Sequence, residues 1–306
     1  MKDAGKAAAP THLFDLKKGQ YSDGSPLDEV HYLESKIILK PDRFTSAKVF
    51  LEFGELIQGA CRKCGVAFSR KGVVLKPQLR EVLFLDTADF TLYKNAFILR
   101  RRILYQDGFP VGDPEIVFKF RHPDIQTAAE MDVRPDFAGD YRIKFKAEGL
   151  PLHDRVGGCR LLFSHNAQFG LSQMPEAALS SISALARTLP ALRALKAPGA
   201  ERVGIVNDTI VEEVQQNLGS LDLGAGIVAE ANVALWRERS AQRPICAEFS
   251  FEAKFKRGDA LHDKTMDRVK QLFVDVQQSA RDWLYLGTTK TGLVYRLKGG
   301  HAANQE

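Results

Sequence analysis

The chain has 306 residues, of which 44% are hydrophobic and 26% charged, the proportions of an ordinary globular protein with a substantial core. Its net charge of +5, from 43 Lys and Arg against 38 Asp and Glu, is too small to indicate nucleic-acid binding by itself. No apolar run approaches the ~20 residues of a membrane helix, and residues 1–11 lack the apolar stretch of a secretory signal, so we expect a cytoplasmic protein.

The hydrophobic pattern predicts an α+β protein. Residues 28–40 have the pattern of a strand, and residues 46–64 carry apolar side chains such as Phe50, Phe53 and Ile57 at helical spacing. Further strands are predicted at residues 80–85, 96–105, 115–122, 128–134, 141–147 and 160–169, then a helix at 176–189, strands at 208–218, 226–240 and 244–257, and a last helix at about 261–283.

These elements are expected to form one domain. No linker or shift in composition divides residues 28–297, whereas residues 1–27 and 298–306 are expected to be a flexible leader and a flexible tail. Within the domain, residues 135–225 are expected to form an enlarged middle section that contains helices.

Charged residues stand two apart in several of the predicted strands, which places both on one face of the sheet. Between Glu248 and Lys256 the charged side chains share one face and the phenylalanines the other. The pairs are Glu34/Lys36, Arg100/Arg102, Lys119/Arg121, Glu130/Asp132, Lys144/Lys146, Arg237/Arg239 and Glu248/Glu252 with Lys254.

A set of strands with both signs of charge on one face predicts a sheet that curls around a charged, hydrated interior. The apolar faces must then be covered by helices on the outside. We therefore expect an antiparallel β-barrel, or tunnel, of about eight strands with helices packed outside. The alternative is an open sheet on which the same charges form cross-strand salt bridges.

The predicted interior suits a phosphate ligand. One arginine can bind two phosphate oxygens through parallel hydrogen bonds, and a lysine acts as a point charge. Carboxylates in the same space would repel an anion unless a hard cation such as Mg²⁺ or Mn²⁺ lies between them. The two signs together therefore indicate a complex of a metal ion with a polyphosphate.

Two segments resemble the signature of the CYTH superfamily, the triphosphate tunnel metalloenzymes. Residues 83–92 read LFLDTADFTL and are followed by LRRR at residues 99–102. Residues 32–36 (YLESK), 117–119 (VFK), 130–132 (EMD) and 248–252 (EFSFE) resemble the other charged strands of the family, and Thr289-Lys290 resembles a Ser-Lys pair near its end.

The resemblance implies an antiparallel tunnel that binds a triphosphate-containing small molecule or inorganic polyphosphate with Mg²⁺ or Mn²⁺ and hydrolyses it. Nucleic acid is expected only as a 5′-triphosphate end, and no membrane partner is expected. The resemblance implies catalytic roles for Glu34, Lys36 and Glu252, phosphate contacts for Lys36, Arg100, Arg102, Lys119, Arg121, Arg237, Arg239 and Lys254, and metal binding by Glu34, Glu130, Asp132, Glu248 and Glu252.

Two departures from the family pattern leave alternatives open. Tyr32 and Ser250 stand where the family usually has carboxylates. One alternative is therefore a polyphosphate- or nucleotide-binding module that has lost catalysis. Two others are cyclisation of ATP and an interaction scaffold whose charged face is open.

Overall fold

The computed structural model describes residue 14 and residues 16–195, 201–256 and 263–299. Within them lie eleven strands and six α-helices, with short 3-10 turns between some of them. The strands are β1 (Tyr32–Leu39), β2 (Ala67–Ser69), β3 (Gln78–Thr87), β4 (Phe97–Gln106), β5 (Phe109–His122), β6 (Arg142–Leu150), β7 (Arg160–Gly170), β8 (Val203–Ile205), β9 (Val211–Gly224), β10 (Ile227–Glu238) and β11 (Pro244–Lys254). The helices are α1 (Ala47–Lys63), α2 (Thr91–Lys94), α3 (Ile125–Glu130), α4 (Ile182–Thr188), α5 (Asp263–Ser279) and α6 (Lys290–Tyr295).

The strands form one sheet that closes into a ring. The order around the ring is β9-β10-β11-β1-β6-β7-β5-β4-β3, and β3 pairs with β9 to complete it. The short strands β2 and β8 add to β9 and β3. The pair β1–β6 is parallel and the other named pairs are antiparallel. The predicted α+β class with a mostly antiparallel sheet is confirmed, with eleven strands where about eight were predicted.

Helices cover the outside of the ring where its outer face is apolar. On β11, Phe249 and Phe251 point outward and pack in one cluster with Phe53 of α1 and Phe273 of α5. A second cluster covers the outer faces of β4, β5 and β7 with α4. The charged residues of the same strands alternate with these apolar ones and therefore face inward.

Helix α6 fills one end of the ring. Its Val294 and Tyr295 belong to a third buried cluster with side chains from the inner faces of the strands, among them Phe84 and Trp236. The ring of Tyr295 stacks on that of Tyr93 with centroids 4.2 Å apart. At the other end of the ring, Leu104 and Val228 are 40% and 52% exposed.

Asp86 ties the strand β3 to α2 and to this end helix. Its buried carboxylate accepts hydrogen bonds from the backbone N–H groups of Thr87, Leu92 and Tyr93 at 2.7–3.0 Å. It also accepts one from the Tyr295 hydroxyl at 3.0 Å. Four donors therefore converge on one side chain at the closed end of the ring.

The strand predicted at residues 128–134 is wrong. Asp124 instead caps the start of helix α3 by accepting a hydrogen bond from the Thr127 N–H at 2.7 Å. The helix ends at Glu130, and a loop follows. Asp132 in the loop binds the Arg134 guanidinium at 2.6–2.7 Å.

Several smaller differences concern element boundaries. The helix predicted at 176–189 is a 3-10 turn, Glu176–Ser180, followed by the shorter α4. The predicted middle section, 135–225, contains α4 but also β6, β7, β8 and β9. Residue 257 of the last predicted strand and residues 261–262 of the last predicted helix lie outside the described residues, and β2, β8, α2 and α6 were not predicted.

Part of the predicted leader lies against the sheet. Tyr21 is buried, and its hydroxyl donates to the Ala129 carbonyl at 2.9 Å. The Phe14 ring packs edge-on against Phe163 of β7. Residues 1–13 and 15, and residues 300–306 of the predicted tail, lie outside the described residues, so the division into leader, domain and tail stays a prediction.

None of the helices in the described part of the chain combines the length and the hydropathy that a membrane span requires.

We expect Asp86→Ala to lower the free energy of unfolding by on the order of 3 kcal/mol or more, because it leaves buried donors without their acceptor. Tyr295→Phe is the matched control and removes one of the four hydrogen bonds, for an expected loss of about 1 kcal/mol. Urea unfolding measures both. Equal losses in the two variants would show that Asp86 does not hold this end of the ring together.

Candidate functional site

The ring encloses a cavity of about 990 Å³. Alternate residues of all nine ring strands line it, together with residues 289–291 at the start of α6. Lysines and arginines outnumber carboxylates in this lining. The cations are Lys36, Arg80, Arg100, Arg102, Lys119, Arg121, Lys144, Lys146, Lys254 and Lys290, and the carboxylates are Glu34, Asp113, Glu115, Glu213, Glu230, Glu248 and Glu252.

Most of the residues predicted from the sequence for the site lie in this cavity, because the period of two puts them on the inner face of their strands. On β4, Arg100 and Arg102 line the cavity, whereas Arg101 points outward and contacts Glu81 at 3.4 Å. The predicted site residues in the cavity are Glu34, Lys36, Arg100, Arg102, Lys119, Arg121, Glu248, Glu252 and Lys254.

Two predicted phosphate-binding residues lie on the outer face instead. Trp236 lines the cavity, so the next residue, Arg237, points away from it and binds Glu212 of the neighbouring strand. Arg239 lies just beyond β10 and binds Glu81, which is also on the outer face. Both arginines are therefore left out of the candidate site.

Two predicted metal ligands also lie elsewhere. Glu130 is the last residue of α3 and is exposed, and its carboxylate accepts a hydrogen bond from Gln126 at 2.8 Å. Asp132 is held by Arg134, as described above. Neither residue belongs to an inward-facing strand, and both are left out of the candidate site.

Glu148 is a central residue of the site that the sequence reading missed. Its carboxylate is completely buried and contacts Lys36 at 2.8 Å, Arg121 at 3.2 Å and Lys119 at 3.3 Å. Burial opposes its charge, but the three cations outweigh burial and hold the pKa of this carboxyl well below its usual range. The spacing of two residues could have predicted the inward position of Glu148, because Glu148 continues the series of Lys144 and Lys146 on β6.

Carboxylates stand in a row across four neighbouring strands of the cavity wall. Glu34 is paired in register with Glu148 of β6 on one side and with Glu252 of β11 on the other. Glu252 is in turn opposite Glu230 of β10. Like charges directly opposite one another destabilise a sheet, so this row depends on cations between its members.

Two lysines each bridge a pair of carboxylates. Lys146 contacts Glu34 at 3.4 Å and also binds Glu252. At the α6 end, Lys290 contacts Glu248 at 2.7 Å and Glu213 at 3.6 Å. Each of these contacts places an ammonium group between two carboxylates.

The titration behaviour of the carboxyls reflects the bridges. Burial raises the pKa of Glu34, but Lys146 and Lys36 outweigh burial and bring it to about 2. Burial is likewise outweighed at Glu213, where Lys290 and Arg80 bring the pKa to about 2. Both carboxyls therefore stay ionised at neutral pH.

Arg100 has no carboxylate at ion-pair distance among the described residues. Its Nε is buried without a hydrogen-bond partner there. Burial, with a smaller contribution from Arg102, lowers the pKa of Arg100 to about 10. The guanidinium is therefore a desolvated cation that faces the cavity, where an anion would stabilise it.

Lys119 stands close to other cations. Burial and the charges of Arg121, Lys36 and Arg100 lower its pKa well below the usual range, although Glu148 opposes the effect. The wall formed by these four cations has a single fully buried carboxylate at its centre. This part of the cavity is therefore electrostatically prepared for an anion.

The residues present do not form a ready metal site. Within the residues that the structure describes, no group of three or more His, Cys, Asp or Glu side chains could hold a metal ion. Of the carboxylates that the CYTH resemblance assigns to a metal, Glu34 and Glu252 are bound by Lys146 and Glu248 is bound by Lys290. The metal-binding role therefore does not fit this arrangement of side chains.

No family model and no curated protein matches this chain. Similar solved structures include a candidate adenylyl cyclase from Hippeastrum, described as having a dominant triphosphatase activity, at 14% identity and a TM-score of 0.42 over 90% of this chain and 99% of that one. A candidate adenylate cyclase from Bacillus halodurans is similar at 11% identity and a TM-score of 0.38, over 88% of this chain and 98% of that one. A protein from Pyrococcus horikoshii is similar at 10% identity and a TM-score of 0.36, over 87% of this chain and 99% of that one. Because these TM-scores lie below 0.5, we draw no functional conclusion from them.

Replacing Arg100 by methionine is expected to stabilise the protein in the absence of ligand. The lowered pKa means that folding disfavours this charge by on the order of 3 kcal/mol, at about 1.4 kcal/mol per pKa unit. We expect the melting temperature of Arg100→Met to rise by a few degrees, measured by calorimetry. Arg101→Met, which removes an outward arginine, is the matched control. A fall in the melting temperature of Arg100→Met would mean that Arg100 is a structural cation.

Any affinity of the cavity for a polyanion, with inorganic triphosphate as the probe, is expected to fall between about pH 7 and about pH 9. Burial and the charge of Lys146 lower the pKa of Lys144 to about 8, so Lys144 loses its charge in this range. Because the anion binds the protonated lysine more tightly, deprotonation weakens binding. Calorimetric titration of wild type and Lys144→Met at several pH values measures the effect, and the ligand's own titration cancels in the comparison. Parallel profiles for the two proteins would exclude Lys144 from the site.

Proposed function

We propose that the cavity binds the triphosphate group of a small molecule, or inorganic triphosphate itself. The observation that carries the proposal is Arg100, a half-buried residue that lines the cavity, whose Nε is buried and which has no carboxylate at ion-pair distance in the described part of the chain. Arginine binds phosphate oxygens through two parallel hydrogen bonds, which are strong because both partners are charged.

The arrangement of charges supports a bound chain of phosphates. Ile38 of β1 and Ile98 of β4 belong to the cluster at the α6 end. Lys36 and Arg100 are each two residues from one of these isoleucines, and Lys119 is opposite Ile98 in register, so these cations lie toward that end, where Lys290 lines the same space. Tyr32 and Lys254 are opposite each other in register near the other end. Tyr32 and Lys36 are four residues apart on β1, about 13 Å at the rise of a strand. Cations are thus spread along a length that several linked phosphates can occupy.

Hydrolysis of the bound triphosphate is the second candidate. It is favoured by Glu34 and Glu252, which face each other on the cavity wall close to the cations. A carboxylate in this position can orient a water molecule toward a phosphorus atom. Because the carboxylates do not fit a ready metal site, we derive no step that requires Mg²⁺ or Mn²⁺. Tyr32 and Ser250, which stand where the CYTH resemblance implies carboxylates, favour binding without turnover.

Calorimetric titration with inorganic triphosphate tests the binding proposal. We expect Arg100→Met to weaken binding by about tenfold or more, because it removes a charge-assisted hydrogen-bonding group worth about 1.5–3 kcal/mol. Arg101→Met, which removes an equal charge from the outer face, should bind as tightly as wild type. Equal weakening in both variants would show that only net charge matters. Equal affinity in all three proteins would refute the site.

Product analysis then separates binding from catalysis. Wild type is incubated with inorganic triphosphate and with ATP, and orthophosphate, pyrophosphate and cyclic AMP are measured. Orthophosphate release that Glu252→Gln abolishes would establish hydrolysis, and cyclic AMP with pyrophosphate would establish cyclisation. Binding without any of these products would leave a polyphosphate-binding module.

A further inference from the structure

We infer that the cavity takes the free polyphosphate anion and not its complex with a divalent metal, because Lys146 and Lys290 occupy the positions between paired carboxylates. This inference rests on the proposed function and concerns the form of the ligand. Each lysine supplies, as a permanent part of the chain, the positive charge that a metal ion would otherwise bring to its pair of carboxylates.

The first lysine bridge joins three strands of the cavity wall. The Lys146 ammonium lies 3.4 Å from a Glu34 oxygen and also binds Glu252, which is opposite Glu34 in register. The side chain of Lys146 is 12% exposed, so little water competes for its hydrogen bonds. A divalent ion would have to displace a charged and hydrogen-bonded ammonium group from this position.

The second bridge comes from α6, at the end of the ring that this helix fills. The Lys290 ammonium lies 2.7 Å from a Glu248 oxygen and 3.6 Å from a Glu213 oxygen, and 4.6 Å from the centre of the Trp236 ring. The stacking of Tyr295 on Tyr93 anchors the same short helix at the closed end of the ring. The position of this ammonium group is therefore determined by packing, not only by its ion pairs.

The net charge of the cavity also favours the free anion over its metal complex. Its lining holds more lysines and arginines than carboxylates, and Arg100 has no ion-pair partner among the described residues. A free triphosphate brings more negative charge than its magnesium complex, since Mg²⁺ cancels two of those charges. An excess of fixed cations therefore favours the uncomplexed anion.

Calorimetry on the wild-type protein tests the inference directly. Inorganic triphosphate is titrated in EDTA and then at increasing Mg²⁺, with ionic strength held constant. We expect the tightest binding in EDTA and a weakening of about threefold or more as Mg²⁺ complexes the ligand. Binding that occurs only with Mg²⁺, or is about tenfold tighter with it, would overturn the inference. Absence of binding under both conditions would instead refute the proposed function.

A second measurement follows the metal without the phosphate. Mn²⁺ binding to the ligand-free protein is measured by electron paramagnetic resonance for wild type, Lys146→Met and Lys48→Met. Lys48 is a surface residue with 82% of its side chain exposed, which makes its variant a matched control. We expect Lys146→Met to gain a Mn²⁺ site at Glu34 and Glu252, and the other two proteins to have none in the cavity.

Two outcomes of this measurement contradict the inference. One is a stoichiometric Mn²⁺ site in wild type that Glu252→Gln removes. The other is a folded Lys146→Met variant that has no more affinity for Mn²⁺ than wild type. If Lys146→Met fails to fold, the double variant Lys146→Met/Glu252→Gln, which removes both charges, shows whether the unpaired carboxylate is the cause. In that case the affinity of the wild-type protein for triphosphate in EDTA, compared with that in Mg²⁺, decides whether the inference holds.

Discussion

The pairing of β3 with β9 closes the sheet, and the existence of the cavity depends on that closure. Arg80 and Glu213 are opposite each other in this pair and their side chains are in contact at 3.4 Å, so one residue pair joins the two strands by backbone and by charge. Without the pairing, the inner faces of the strands would be an open, water-exposed surface on which isolated ion pairs contribute little. With it, the same charges face one another across a confined space, where electrostatic interactions are stronger.

Confinement explains the carboxylates as well as the cations. A cavity lined only with lysine and arginine would repel itself and destabilise the fold. Glu148 reduces this repulsion at the point where Lys36, Lys119 and Arg121 meet. Glu34, Glu213, Glu248 and Glu252 do the same for the two bridging lysines. The carboxylates can therefore be understood as counter-ions that allow a cationic cavity to exist in the absence of ligand.

The period of two was enough to predict many of the inward-facing charges, because one face of each strand is visibly apolar. The same rule would have corrected Arg237 and Arg239. On β10, residues 229, 231, 233 and 235 are apolar and belong to the outer core, so the odd-numbered residues of this strand face outward. If the apolar face of each strand is identified first and the charge pairs are assigned second, each charged residue is placed on the correct side of the sheet.

Other features could not be read from the sequence. The contacts of Arg80 with Glu213 and of Lys290 with Glu248 join residues 133 and 42 positions apart and depend on strand register and on the docking of α6. Helix α3 was mistaken for a strand because charges two apart also occur by chance at the end of a helix. There the capping side chain of Asp124, and not the charge pair, was the informative signal.

The helix at the end of the ring also sets the direction from which the proposed ligand would approach. Val294 and Tyr295 of α6 pack among inner-face side chains such as Phe84 and Trp236, so protein fills this end of the ring. The proposed phosphate ligand would therefore reach Arg100 and Lys36 from the end at which Leu104 and Val228 are exposed. In that orientation its terminal phosphate lies deepest, and an organic group attached to the other end of the phosphate chain stays near the exposed rim.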